Sequence, residues 1–164
     1  FDDLYFGGTE GVFRATCKDS EWNIEHLLSV PTSDIVYMDL DGDGKEELAI
    51  IEEFHGNKAV VFKKLGAGME RMVEIPLSFG HVLWGGQFFG RPALITGSRA
   101  GDKTLRKFTF TCDGEGRTQI EEETVLDEGQ APAQIFVTGD AKESIVVAAN
   151  HGVATMAEYR CTEA

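Results

Sequence analysis

Residues 48–63 read LAIIEEFHGNKAVVFK: an apolar run, a turn that contains a glycine, and a second strand-like run. This order is typical of a β-hairpin, because glycine supplies the turn between two segments that favour extended backbone. Three other stretches align with it, at residues 4–17, 93–112 and 145–161. Four copies of one hairpin pattern indicate that the chain is built from repeats.

Two further strand-like segments lie between successive hairpins. One kind is amphipathic, and the other follows a connection that bears a proline and is mostly apolar. The first kind occurs at residues 22–28, 70–77 and 118–126, and the second at 35–40, 81–85 and 134–138. The offsets between Asp34, His81 and Gln134 set a period of about 50 residues. Four short strands per period and no helical pattern predict a β-propeller; the alternative is a β-sandwich with coincidentally similar hairpins.

The predicted fold is therefore all-β, a single partial β-propeller domain of four-stranded antiparallel blades over residues 1–164. Its parts are an incomplete blade at 1–30, full blades at 31–78 and 79–127, and an incomplete blade at 128–164. The first unit lacks its innermost strand and the last lacks its outermost, which leaves about three and a half blades. Such an arc exposes apolar faces at both ends. We expect the remaining blades of a larger, seven-bladed propeller to complete it, or a second copy of the chain.

The composition limits the classes of partner. Asp and Glu number 28 against 15 Lys and Arg, so the formal net charge is −13. Phosphate backbones and anionic lipids are repelled by this charge, so we expect no nucleic-acid or membrane partner. No window approaches the roughly 18 continuous apolar residues of a membrane-spanning helix. The chain opens at Phe1 within a strand-like segment, which suggests a piece of a longer protein.

The three cysteines are Cys17, Cys112 and Cys161. They have no metal-ligand spacing, and they fall at equivalent positions of different units. We therefore expect them to be unpaired. Unpaired cysteines leave a cytoplasmic location open.

The strongest motif is the run DLDGDGKEE at residues 39–47, within the 31–78 unit. Asp39, Asp41 and Asp43 stand at positions 1, 3 and 5 of a tight loop, where carboxylate oxygens converge on a hard cation. The alternative is a polar hairpin whose Asp and Gly residues serve only turn chemistry. Three aspartates at alternate positions repel one another without a cation, which favours the metal.

The rest of the loop distinguishes it from an EF-hand. Glycine at position 6 permits the sharp turn, and the carbonyl of Lys45 at position 7 faces inward. An EF-hand would have Glu at position 12, where this chain has Ile50. The closing carboxylate is then Glu47. Numerous carboxylates on a flexible loop favour Ca²⁺ over Mg²⁺.

Residues 34–50, DIVYMDLDGDGKEELAI, resemble an FG-GAP (VCBS-type) repeat, the calcium-loop β-propeller repeat of integrin α-subunit heads and many bacterial proteins. The equivalent loops at 85–92 and 139–143 lack the carboxylates, so we expect no metal there. The resemblance favours an extracellular or cell-surface location. It implies as Ca²⁺ ligands Asp39, Asp41, Asp43, the Lys45 carbonyl and Glu47.

A second, shorter resemblance concerns residues 80–85 (GHVLWG) and 97–99 (GSR). These stretches look like parts of the propeller of aldos-2-ulose dehydratase-like lyases. The resemblance points toward sugar chemistry, although the intervening acidic loop of that family is missing here.

Alternate loops of an up-and-down blade lie on opposite faces, so the hairpin turns face away from the 39–47 loop. These turns hold His55, Arg99 and His151, while His81 begins an innermost strand. A histidine can act as a general base or a transition-metal ligand, and an arginine can hold a carboxylate or oxyanion. Each residue taken alone is better explained as a solvated turn residue, whereas the set favours a site because residues distant in sequence converge on one face.

Two functions from different classes follow. The first is a calcium-binding β-propeller module that recognises a protein or carbohydrate ligand. The second is a sugar-active, lyase-like enzyme whose candidate catalytic residues are His55, His81, Arg99 and His151. The sequence shows no nucleophile elbow, phosphate-binding glycine loop or HExxH motif.

Overall fold

The computed structural model describes residues 3–162 and contains fourteen β-strands and no helix within that range. The strands form four antiparallel sheets of three, four, four and three strands, each joined in simple sequence order. The all-β prediction and the predicted number and grouping of strands are confirmed.

The strands of sheet 1 are β1 (Leu4–Gly8), β2 (Gly11–Lys18) and β3 (Glu21–Leu28). Those of sheet 2 are β4 (Thr32–Met38), β5 (Glu47–Glu52), β6 (Lys58–Leu65) and β7 (Gly68–Pro76). Sheet 3 contains β8 (Gly80–Phe88), β9 (Arg91–Ser98), β10 (Leu105–Cys112) and β11 (Thr118–Asp127). Sheet 4 contains β12 (Pro132–Gly139), β13 (Glu143–Asn150) and β14 (Thr155–Thr162).

Sheet 2 is covered on both faces, which explains why its two central strands are almost continuously apolar. One face packs on sheet 1, where Leu48 and Ile50 meet Val12. The other face packs on sheet 3, where Ile51 and its neighbours meet Leu94. Successive side chains of a strand point to opposite faces of the sheet. A strand such as β5, which is buried on both faces, therefore needs apolar residues at odd and even positions alike.

Consecutive sheets meet at their first strands, since β4 contacts β8 and β8 contacts β12. The approach is close at Gly85 in β8, where an added Cβ would lie 2.2 Å from Cγ1 of Val36 in β4. Glycine is required at this point because any side chain would separate the two sheets.

A register shift recurs near the beginning of β4, β8 and β12. In β4 the shifted residues include Asp34, whose Oδ2 accepts the N–H of Leu83 in β8 at 3.0 Å. In β8 the shifted residue is His81, whose Nδ1–H donates to the carbonyl of Ala133 in β12 at 2.9 Å. The shifted residue of β12 is Ala133, one position before the Gln134 that the sequence offsets indicated. Two shifted side chains thus reach forward to the next sheet.

The outward faces of the two end sheets are apolar and exposed. On sheet 4, Phe136 is 64% exposed and Met156 is 76% exposed. On sheet 1 the pairing register places the exposed residues on the side away from sheet 2: Leu4, Phe6, Trp22 and Ile24. Exposed sheet faces of this kind mark contact surfaces.

Two further findings concern the cysteines and the absence of helices among the described residues. Cys17, Cys112 and Cys161 are all unpaired. Within residues 3–162 there is no helix long and apolar enough to traverse a lipid bilayer.

Candidate functional site

The predicted metal loop connects β4 to β5 and is organised by Asp39. One carboxylate oxygen of Asp39 accepts the N–H of Gly42 at 2.7 Å, and the other accepts the N–H of Gly44 at 3.0 Å. Both glycines have positive φ, 78° and 85°, which other residues adopt only with strain. The alternating Asp and Gly residues therefore fold the loop tightly around this carboxylate.

The next carboxylates follow the same scheme. Oδ1 of Asp41 accepts the N–H of Asp43 at 3.2 Å, and Oδ1 of Asp43 accepts the N–H of Lys45 at 2.9 Å. Glu47 lies at the start of β5, and its Oε2 accepts the buried N–H of Leu40 at 2.7 Å. Each of Asp41, Asp43 and Glu47 thus keeps its second oxygen for another partner.

Carboxylate oxygens of Asp39, Asp41 and Glu47 lie within 4.8 Å of one another, so they could hold a metal ion. A second group of the same dimensions combines Asp41 and Asp43 with the thiol of Cys112. Donors that are all oxygen fit a hard cation such as Ca²⁺, whereas a thiol suits softer ions. The first group therefore fits the predicted cation.

A buried lysine occupies the centre of this cluster. Nζ of Lys63, on β6, lies 2.6 Å from Oδ2 of Asp41, 2.8 Å from Oε1 of Glu47 and 3.0 Å from Oδ2 of Asp43. The side chains of Lys63, Asp41 and Glu47 are all fully buried, at 0% exposure. Repulsion among the aspartates was the reason to predict a bound cation. An ammonium group of the chain itself relieves part of that repulsion.

Sheet 3 completes the surroundings of the cluster. Oγ1 of Thr118 lies 2.6 Å from Oδ2 of Asp41 and 3.3 Å from Oε1 of Glu47. Sγ of Cys112 is 3.9 Å from Nζ of Lys63. The charged cluster therefore lies at the interface between sheets 2 and 3, close to where β10 ends and β11 begins.

The ionisation of the cluster reflects this burial. Burial lowers the pKa of Lys63, but hydrogen bonds to Asp41, Glu47 and Asp43 raise it, and the net shift is upward. Burial raises the pKa of Glu47, and its hydrogen bonds to Lys63 and Leu40 only partly oppose the rise. The raised pKa of Lys63 keeps its amino group protonated.

Sequence reasoning missed Lys63, Thr118 and Cys112 as parts of this site. A signal for Lys63 was available, because the short loop of the β5–β6 hairpin sets its register and pairs Glu47 directly with Lys63. Thr118 and Cys112 gave no comparable signal, since they arrive from another sheet.

The two equivalent loops are plain turns. The β8–β9 connection is Phe89–Gly90, both residues having positive φ. In the β12–β13 connection, Asp140 accepts the N–H groups of Lys142 and Glu143. Neither loop contributes to a group of three potential metal ligands among the residues that the structure describes.

The second candidate region is the loop surface, the end of the sheets that carries the β5–β6, β9–β10 and β13–β14 hairpin loops. Backbone hydrogen bonds join these loops to the connections between sheets: Gly80 donates to Gly56 at 2.8 Å, and Arg99 donates to Phe79 at 3.0 Å. Residues far apart in sequence therefore form one continuous surface.

An aromatic stack of Phe54, His55, Phe79 and His81 lies on the loop surface. The ring of His55 lies 4.1 Å from that of Phe54, 4.3 Å from Phe79 and 4.9 Å from His81, measured between centroids. The guanidinium of Arg99 lies over the Phe79 ring at 5.5 Å. Phe54 is 73% exposed, so the stack is open to a ligand at that end.

The histidines of the stack differ in their chemistry. His55 has a positive φ of 55°, a conformation rare outside glycine and often associated with functional loops. Burial lowers the pKa of His55, and the neighbouring His81 and Arg99 lower it further. Because a carbonyl can only accept, the bond from His81 to Ala133 fixes the proton on Nδ1 and leaves Nε2 basic in the neutral ring.

The structure thus brings together three of the four candidate catalytic residues, His55, His81 and Arg99. His151 is exposed and lines a different cleft, beside Ala149 and Met156. None of the described histidines belongs to a group of three potential metal ligands.

Two clefts are lined by residues of the stack or their neighbours in sequence. One of about 250 Å³ lies beside Phe54 and is lined by Gly8, Pro31 and Ser33 among others. The other, of about 360 Å³, is lined by Ser78, Asp102 and Arg106 among others.

A comparison of the chain with protein-family models and with curated proteins finds no match.

Proposed function

We propose that the protein is a calcium-binding β-propeller module that recognises a protein or carbohydrate ligand on its loop surface. The observation that carries the recognition role is the aromatic stack: rings from two separate segments converge on one open surface, next to a guanidinium from a third. Exposed flat rings bind sugar faces and apolar side chains, and a guanidinium binds carboxylates.

The propeller arrangement is supported by the repetition of packing. Every sheet is antiparallel, follows the same strand order and contacts the next sheet through its first strand. The register shift recurs at one end of β4, β8 and β12. Similar units that pack in a similar way progress around an axis, as blades do.

The exposed outward faces of sheets 1 and 4 favour completion by further sheets. Two copies of the chain would bring eight separate sheets together, so a seven-bladed ring is better completed by further blades than by a second copy. Sedimentation velocity of the 164-residue chain tests this point. A stable, well-folded monomer would contradict both forms of completion.

The calcium site is supported by the oxygen donors of Asp39, Asp41 and Glu47. Isothermal titration of metal-free protein with CaCl₂ should show saturable binding that Asp41→Ala abolishes. Ser33→Ala is the control. Ser33 lies in the same 31–78 unit but outside the loop, so this variant should bind Ca²⁺ as the parent does. Equal heats for Asp41→Ala and the parent would remove the calcium site.

Ligand recognition can be tested on a glycan array and a matched peptide array. We expect binding that is lost in Phe54→Ala and Arg99→Ala. His26→Ala is the control, because His26 is exposed on sheet 1, where it stacks on Phe13. Binding that survives both loop-surface variants would place the ligand elsewhere.

The second candidate is a sugar-active, lyase-like enzyme, and the convergence of His55, His81 and Arg99 is the observation that favours it. A neutral imidazole beside a guanidinium suits removal of a proton next to a carbonyl or carboxylate, since the cation stabilises the developing charge. A turnover screen of sugars with and without Ca²⁺ separates the candidates. Turnover lost in His81→Ala supports the enzyme; array binding without turnover supports the recognition module.

A further inference from the structure

We propose that Lys63 is a resident cation of the β4–β5 loop, one that competes with a divalent metal for the same carboxylate oxygens and thereby weakens metal binding. The inference rests on the proposed calcium site and adds a residue that sets its affinity. Nothing in the loop motif itself indicates this residue, because it lies on β6, 16 positions after Glu47.

The competition follows from which oxygens are used. Asp41, Asp43 and Glu47 each spend one oxygen on a backbone N–H of the loop or its entry. The three remaining oxygens, Oδ2 of Asp41, Oδ2 of Asp43 and Oε1 of Glu47, are those that contact Nζ of Lys63 at 2.6, 3.0 and 2.8 Å. A metal that binds these carboxylates without unfolding the loop needs the oxygens that Lys63 holds.

The ammonium and the metal do not fit side by side. Ca²⁺ takes oxygen ligands at about 2.3–2.6 Å, so an ion bound to the same three oxygens would lie within a few ångströms of Nζ. Two cations at that spacing repel strongly in a site that excludes water. The side chain of Lys63 must therefore move before the ion enters, or the ion binds with fewer ligands.

Lys63 also explains how the loop keeps its shape without a metal. Three carboxylates, from Asp41, Asp43 and Glu47, face one buried ammonium, which neutralises part of their charge. The formal negative charge that remains still attracts a divalent ion. A lysine at this position thus gives a loop that is ordered before binding and has lowered affinity for the metal.

The test compares Ca²⁺ binding by the parent, Lys63→Met and Lys64→Met, measured by isothermal titration of chelator-treated protein. Methionine keeps an unbranched side chain of similar length without the charge. Lys64→Met removes the same charge from an exposed residue of the same strand, outside the loop, and controls for net charge. We expect Lys63→Met to bind Ca²⁺ at least tenfold more tightly than the parent, and Lys64→Met to change affinity by less than threefold.

The outcomes separate this inference from the proposed calcium function. If the parent binds Ca²⁺ and Lys63→Met binds equally or less tightly, the competition is refuted while the calcium site stands. If only Lys63→Met binds, the competition is supported and calcium is removed as a ligand of the natural protein. If neither binds, both statements fall.

A measurement on the parent protein avoids dependence on the folding of the variant. Acetylation of individual lysines by an N-hydroxysuccinimide ester is followed by mass spectrometry with and without Ca²⁺. Displacement by the ion should raise the labelling of Lys63 severalfold, while Lys58, on the same strand and bonded to Glu52, stays constant. Labelling of Lys63 that is unchanged at saturating Ca²⁺ would overturn the competition.

Discussion

Sheets 2 and 4 are built on the same repeat but differ in what covers them. The pairing registers show that Ala59 of sheet 2 and Met156 of sheet 4 occupy equivalent positions of the repeat. Ala59 is fully buried under sheet 3, whereas Met156 is 76% exposed. The same alignment relates Val36, which packs into the core between sheets 2 and 3, to the exposed Phe136.

The comparison extends to charge. Lys63 of sheet 2 and Arg160 of sheet 4 occupy one repeat position, five residues into the hairpin's second strand. Lys63 is buried and surrounded by loop carboxylates, while Arg160 forms exposed ion pairs with Glu158 and Glu143. A cation under a neighbouring sheet requires buried carboxylates, which Asp41 of the β4–β5 loop and Glu47 at the start of β5 supply to Lys63.

The largest effect is expected where sheets 2 and 3 approach most closely. Gly85→Val would force side-chain atoms into Val36 and Met38, and we expect it to destabilise the fold by about 3 kcal/mol or more. Gly68→Val is the control, because no heavy atom lies near its Cβ position. Urea unfolding measures both; a small loss for Gly85→Val would show that the contact between sheets 2 and 3 yields easily.

Next in size is the loss of a partner from the buried cluster. Glu47→Ala leaves Lys63 with fewer counter-charges and Leu40 N–H without an acceptor, so we expect a loss of about 3 kcal/mol in the free energy of unfolding. Glu143→Ala removes the exposed partner of Arg160 and should cost less than about 0.5 kcal/mol. Equal losses would contradict the distinction between the two cations.

A smaller effect is expected from pH, through His55 in the hairpin loop of sheet 2. The pKa of His55 is lowered in the folded protein, so the unfolded chain binds more protons at acid pH and stability falls as pH drops below about 6.5. His55→Gln should reduce the fall in melting temperature between pH 7.5 and 5.5 by no more than about 2 °C. Asn57→Gln, an exposed and non-titrating residue of the same loop, is the control and should leave the fall unchanged.

The smallest effect is expected on the uncovered face. Met156→Ser changes an exposed side chain and should alter the free energy of unfolding of the isolated chain by less than about 0.5 kcal/mol. Ala59→Ser, at the covered repeat position, provides the contrast and should cost about 1 kcal/mol or more. A large loss for Met156→Ser would mean that this face is already covered in solution.

Much of the fold was predictable because the repeat signal is local. The alternation of apolar runs with glycine-bearing turns identified strands such as β5, and the spacing of carboxylates from Asp39 to Glu47 located the loop. The partners of that loop were harder to find. To find Lys63, the pairing register of the β5–β6 hairpin had to be worked out. To find Thr118, the packing of sheet 3 on sheet 2 had to be known, and a local stretch of sequence does not encode that packing.

The histidines show the same limit on what can be predicted from the sequence. The sequence grouped His55, His81 and His151 by the end of the strands at which they lie, and the stack unites the first two. Whether two side chains touch depends on the sheet to which each belongs, and His151 belongs to sheet 4, beyond the reach of the sheet 2 loop.

The recurrent register shift at the beginning of β4, β8 and β12 has a consequence for how such a chain diversifies. A residue inserted between two ladder positions is released from cross-strand pairing, so its identity is not dictated by the sheet. Aspartate, histidine and alanine stand at these positions here, with Asp34 and His81 contributing a carboxylate and an imidazole. New chemistry can therefore be introduced one unit at a time without redesign of the framework.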